Sequence, residues 1–263
     1  MAETNAVEHA KQLDVHSTKG NKKGNGKKEV RLRGLPSDSP ETRVSKTVTW
    51  VLRHGAQQEG LALRPDGYAR VQDLVSNPPL QMLDFPTLER LVKDDKKNRY
   101  NLVYEPDVDN IHSPVWWIRA NQGHTMKTIS VVTIPIKRPE DIPTRIAVHG
   151  TNKLAWEQIR HQGLSRMKRN HIHLAQGLPG TGVVSGMRRN AAIFIYIDVQ
   201  KALDAGIKFD LSSNGVVLSE GDKTGFIHPR FFARVENSKG EVLENWQVAA
   251  SSVDNTASTA SSS

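Results

Sequence analysis

Three prolines, Pro135, Pro139 and Pro143, punctuate a charged stretch near the middle of this 263-residue chain. Proline fixes φ and offers no amide donor, so neither a helix interior nor a central strand runs easily through such a segment. Residues 134–143 therefore read as a connection between two folded units. The chain is long enough for each unit to enclose its own apolar core.

The first unit, residues 39–133, opens with Ser39-Pro40, a capping side chain followed by a residue suited to the first helical position. Val44, Val48, Val51 and Leu52 then recur at helical spacing, and Gly55 fits just past the end. A second helix fits Ala69 to Val75. A third starts at Pro86, with Leu88, Leu91 and Val92 inward. Tyr100–Tyr104 and Val115–Ala120 read as strands. Three helices and a two-stranded wing suggest a winged-helix lobe. The second unit, residues 144–248, is strand-dominated: Arg145–His149, His171–Ala175, Ala191–Asp198 and Gly215–Leu218. A helix fits Asn152–Gln162, with Leu154, Trp156 and Ile159 inward and Gly163 ending it, and a shorter one fits Val199–Ala205. The class expected is α+β.

Residues 1–38, rich in Lys and Gly, read as a disordered basic arm, and residues 249–263, rich in Ser, Ala and Thr, as a disordered tail. The formal net charge of +8 favours an anionic partner, nucleic acid before membrane surface. With no cysteine, disulfides, a thiol nucleophile and Cys-ligated zinc are excluded. No apolar run suggests a membrane span, and the N-terminus lacks a signal-peptide core. An intracellular protein is expected, in nucleus or cytoplasm and not secreted. The sequence sets no oligomeric state.

Arg and His residues are scattered over both units. Arg53 and His54 fall in the last turn of the first helix, where cations complement the helix dipole; they also form a mouth suited to a phosphate. Arg99 ends the run Lys96-Lys97-Asn98-Arg99, which on its own reads as a solvated basic surface. Arg169 abuts a strand that places His171 and His173 on one face. Such a pair also suits a metal, with His149 or His124 as a third ligand, but no acidic or Cys partner is near in sequence and no metal is expected. His149-Gly150-Thr151 runs from strand into helix, where glycine allows close approach and the helix N-terminus favours anions. Gly177–Gly182 has the wrong spacing and a proline for a dinucleotide fingerprint. Ser213-Asn214-Gly215 fits a hairpin turn. Arg188 and Arg189 are weaker phosphate candidates.

Taken together, five blocks resemble the RNA 2′-phosphotransferase family, from about Pro40 to Phe232. They are Leu52-Arg53-His54-Gly55, Asp66–Leu74 (DGYARVQDL), Ile118–His124 (IRANQGH), His149-Gly150-Thr151 and Arg169–Leu174 (RNHIHL). The resemblance implies removal of a splice-junction 2′-phosphate from tRNA with NAD as co-substrate. The phosphate attacks the ribose of NAD and expels nicotinamide; the neighbouring hydroxyl then releases the RNA and leaves ADP-ribose 1″,2″-cyclic phosphate. The fold it implies is a winged-helix RNA-facing lobe followed by an ADP-ribosyltransferase-like NAD lobe. Arg53, His54, Arg99 and Arg169 would be catalytic. His149, Gly150, Thr151, Ser212, Asn214 and Gly215 would face NAD. Lys96 and Lys97 would touch RNA. The late strand Gly215–Leu218 is apolar, unlike the glutamate-bearing strand of many protein-modifying ADP-ribosyltransferases, although Glu220 lies just beyond. The rivals are an ADP-ribosyltransferase that caps nucleic-acid phosphate ends, and an RNA-binding module without catalysis.

Overall fold

A computed structural model describes residues 32–107, 109–182, 187, 191–244 and 246. The expected arm up to residue 31, the expected tail, and Arg188 and Arg189 lie outside the described residues.

Helix α1 (Pro40–Trp50) begins where Ser39 accepts the Thr42 amide, as its side chain predicts. It does not end at Gly55. A π-helical turn, Val51–Gly55, carries it on, with backbone φ still helical at Ala56. Gly55 is therefore needed for space: a Cβ there would lie 2.4 Å from the Trp50 ring. Strand β1 (Ala69–Arg70) precedes helix α2 (Val71–Val75), so the expected second helix starts two residues late. Helix α3 (Phe85–Lys93) is capped by Asp84. Strands β2 (Tyr100–Pro106) and β3 (Pro114–Ala120) pair antiparallel, and β1 joins the other edge of β3, making three strands where two were expected. Val48, Val51, Leu52, Leu74, Leu88 and Ile118 fill the core between helices and sheet.

The expected connection is built into the second core. Strand β4 (Thr133–Ile136) pairs with β9 (Lys208–Ser212), a short 3₁₀ turn covers Pro139–Asp141, and Ile142 is fully buried. Pro135 is tolerated because β4 is the edge of a four-stranded sheet in which β9 is its neighbour. The other strands of that sheet are β10 (Val217–Gly221) and β7 (Ile172–Leu174). Strand β5 (Val148–Thr151) leads into helix α4 (Lys153–Gln162), capped by Asn152 and closed at Gly163. Leu154 is 83% exposed, contrary to expectation, whereas Trp156 is buried. Strand β6 (Leu164–Ser165) pairs with β11 (Phe226–Ile227). Strand β8 (Ile193–Ile197) lies between β5 and β12 (Phe232–Asn237), and helix α5 (Val199–Asp204) follows it. Among the described residues every pairing is antiparallel, the fold is mixed α+β, and no helix is long and apolar enough to cross a membrane.

Candidate active site

The π turn delivers Arg53 and His54 to the junction of the two halves. Arg53 is 9% exposed, and its Nε and Nη2 have no hydrogen-bond partner. Burial is the largest influence on its pKa and pushes it down to about 10; Arg169 and Arg99 also lower it, while Tyr100 and Asp95 oppose them. It is still charged at neutral pH. Gly123, at φ +91°, lies flat against this side chain: a Cβ there would stand 3.3 Å from Nη1. That gives the Gln122-Gly123-His124 block a function that spacing alone did not supply.

His54 Nδ1 lies 3.2 Å from the Thr125 hydroxyl, and the Thr125 amide donates to the Arg53 carbonyl at 3.0 Å. Burial lowers the His54 pKa, followed by the charges of Arg169, Arg53 and Arg33. The imidazole is thus held neutral near pH 7 and oriented by a residue 71 positions away. Arg99 comes from the turn before β2. Asp95 binds its guanidinium at 3.0 Å and accepts its amide hydrogen. Arg169, exposed in the loop before β7, reaches in from the second half, and its charge acts on Arg53, His54, His149 and His173.

His149 donates Nδ1–H to the His173 carbonyl at 3.1 Å, because a carbonyl only accepts. Its Nε2 then carries a lone pair. His173 Nε2 is buried without a partner. Burial lowers the pKa of His149 and His171 and holds that of His173 well below its usual value. His124, 3% exposed, is pushed down to about 4, first by burial and then by Arg53. Gly150 leaves no room for a side chain, since a Cβ would meet Met187 Sδ at 2.6 Å. Thr151 closes β5, its carbonyl accepting the Ala192 amide at 2.8 Å. Glu220 is exposed and acts electrostatically on His171. Among the described residues no three His, Cys, Asp or Glu side chains gather in a metal-binding group.

Two groups of expected residues are placed differently. Lys97 donates to the Met187 carbonyl at 3.2 Å across the two halves, while Lys96 is exposed. Ser212 and Asn214 are buried in the β9–β10 turn, with Gly215 at φ +77° completing it. Their polar groups are bonded within the protein. The sequence reading missed Thr125 altogether, and it singled out His124 and His173 only as possible metal ligands beside the HxH strand pattern.

The buried Arg53 guanidinium, with two unpartnered nitrogens and the charges of Arg99 and Arg169 acting on it, stands beside imidazoles of lowered pKa in an α+β protein, an arrangement suited to a phosphate-bearing ligand. Residues 39–221 match the family described as RNA 2′-phosphotransferase, Tpt1/KptA family. The chain belongs to that family. It is 41% identical over 203 residues to tRNA 2′-phosphotransferase 1 of Danio rerio, covering 77% of this chain and 88% of that one. A putative tRNA 2′-phosphotransferase of Schizosaccharomyces pombe is 44% identical over 200 residues, covering 76% of this chain and 52% of that one. The human tRNA 2′-phosphotransferase 1 is 36% identical over 217 residues, covering 80% and 83%.

Proposed function

We propose that this protein removes the splice-junction 2′-phosphate from tRNA in an NAD-dependent reaction, inside the cell. The observation that carries the reading is the buried Arg53 guanidinium with two unpartnered nitrogens, on which the charges of Arg99, from the same half, and Arg169, from the second, both act. The nearby Asp95 carboxylate offsets the burial of Arg53 only in part, and a dianionic phosphate would satisfy the two unpartnered nitrogens. Arg53, Arg99 and Arg169 would hold the phosphate oxygens and stabilise charge that builds on them during transfer. His54, neutral near pH 7, is poised to hold or accept a proton there.

The NAD side fits the residues present. His173 Nε2 is an orphaned buried nitrogen, the His149 Nε2 lone pair is available, and bare Gly150 lies where strand turns to helix. NAD, when bound, supplies the ribose carbon that takes the phosphate and the adjacent hydroxyl that later releases the RNA. His149, Gly150 and Thr151 would orient it, with the Ser212–Gly215 turn at the margin of the pocket. Lys96 would contact RNA backbone, and Lys97 would do so only beside its tie to the second half. In this reading the first half is a winged-helix lobe facing RNA, and the second an ADP-ribosyltransferase-like lobe that takes in β4.

The test uses purified protein, an RNA oligonucleotide with one internal 2′-phosphate, and NAD added or withheld. NAD-dependent conversion to a 2′-hydroxyl, with ADP-ribose 1″,2″-cyclic phosphate appearing, is expected. A stable ADP-ribosylated RNA would indicate a capping transferase instead. Tight binding without any reaction would indicate an RNA-binding module.

A further inference from the structure

The carbonyl of Asn98 is held from both halves of the protein at once. Asn121 Nδ2, on the segment after β3, donates to it at 2.8 Å. Asn214 Nδ2, in the β9–β10 turn 116 residues away, donates at 3.0 Å. A carbonyl oxygen has two lone pairs, and here both have amide donors. Asn98 itself sits at φ +44°, a left-handed conformation that a non-glycine residue keeps only when its surroundings impose it. The next residue is Arg99. The Asn121 amide donates to its carbonyl at 2.8 Å, and Asp95 takes both its amide hydrogen and its guanidinium.

Asn214 is itself fixed. The Ser212 hydroxyl lies 2.8 Å from Asn214 Oδ1 and accepts the Val216 amide at 2.9 Å, which aims Nδ2 at Asn98. Ser212, Asn214 and Asn121 are 4%, 5% and 3% exposed, which leaves them little surface for a ligand. The Asn121 and Asn214 amide nitrogens donate to protein backbone carbonyls, Asn214 Oδ1 takes the Ser212 hydroxyl, and Asn121 Oδ1 is buried without a partner.

We infer that Asn214 is a positioning residue: with Asn121 it clamps the Asn98 carbonyl and so aims Arg99 at the substrate phosphate. Its effect on the reaction runs through Arg99 and not through contact with NAD, and Ser212 serves it by orienting the amide. The clamp also couples the halves, because the second half holds the backbone that carries a guanidinium of the first. This inference rests on the function proposed above for Arg99.

The experiment is a double-mutant cycle on the full chain, with Asn214→Ala, Arg99→Lys and both together, assayed with 2′-phosphorylated RNA and NAD. Asn214→Ala is expected to lower kcat/KM for RNA about 10- to 100-fold, as a misplaced group does, and to leave KM for NAD within about threefold. In the Arg99→Lys background it should add less than about threefold. Ser212→Ala should move the same readouts the same way by less. A raised KM for NAD at unchanged kcat, or a full-sized penalty on top of Arg99→Lys, overturns the inference. Amide hydrogen exchange at Arg99 reads the clamp without turnover: it should speed up in Asn214→Ala, and unchanged exchange also overturns it. If the wild-type protein shows no NAD-dependent loss of phosphate, the proposed function fails, and the exchange measurement alone decides the clamp.

Discussion

Arg53 shows at the scale of one residue how stability and function pull apart. Two of its nitrogens are buried without partners, and burial already pushes its pKa down to about 10. A buried charge that the nearby Asp95 carboxylate compensates only in part burdens the free protein, and replacing buried ionic groups with apolar side chains is often neutral or stabilising. Arg53→Met should therefore leave the melting temperature unchanged or raise it by a few degrees. Phosphate removal should fall by at least about 100-fold, because preorganised charge at the phosphate is lost. Calorimetry alongside steady-state kinetics checks both halves of this expectation. A drop of several degrees would make the guanidinium a structural group. At this scale the sequence blocks named Arg53, His54, Arg99 and Arg169, and the charges of Arg99 and Arg169 do reach Arg53, while Arg53 and Arg169 reach His54. Thr125 could not be linked to His54, nor Asn214 to the Asn98 carbonyl, because contacts across 71 or 116 residues leave no spacing to read.

Among the elements, the π turn matters most for the site. Five residues, Val51–Gly55, occupy what the apolar spacing treats as the end of an ordinary helix. One inserted residue has no periodic signature over so short a run, so the turn was invisible in the sequence even though α1 itself was plain from Ser39 and Pro40. Similarly, two residues of β1 are too few to show alternation, and Pro135 hid β4 because edge strands accept proline. Gly55→Ala tests the turn. Its Cβ would lie within 2.7 Å of three Trp50 ring atoms, and the Arg33 guanidinium lies over that ring at 3.6 Å from its centre. Overpacking of this kind should cost about 1–3 kcal/mol. Because Arg53 and His54 ride on the same turn, kcat/KM should fall as well, by roughly tenfold. Chemical denaturation and kinetics on one preparation would show whether the two losses travel together; loss of stability with full activity would mean the turn yields elsewhere.

Across the whole molecule, the junction between halves is lined with histidines kept neutral by burial. His124, His149, His171 and His173 all have lowered pKa values, with His124 at about 4. The unfolded chain holds these protons up to about pH 6.5, so it binds more protons than the folded protein below that point. Stability is therefore fully present above about pH 6.5 and is lost as pH falls through the window down to the folded values. His124 alone accounts for on the order of 3 kcal/mol between pH 6.5 and 4. Melting temperature should fall steeply over that range, and His124→Gln should flatten the slope; an unchanged slope would sink the assignment. The prolines of residues 134–143 gave no sign that β4 pairs with β9, because an edge strand accepts proline. That pairing matters to anyone who divides the gene. A fragment begun after Pro143 would lack the strand that pairs with Phe209–Ser212 of β9, leaving open amides and carbonyls on that edge. Such an edge invites pairing with another copy, so the shortened chain should aggregate where one begun before Thr133 keeps its own cover.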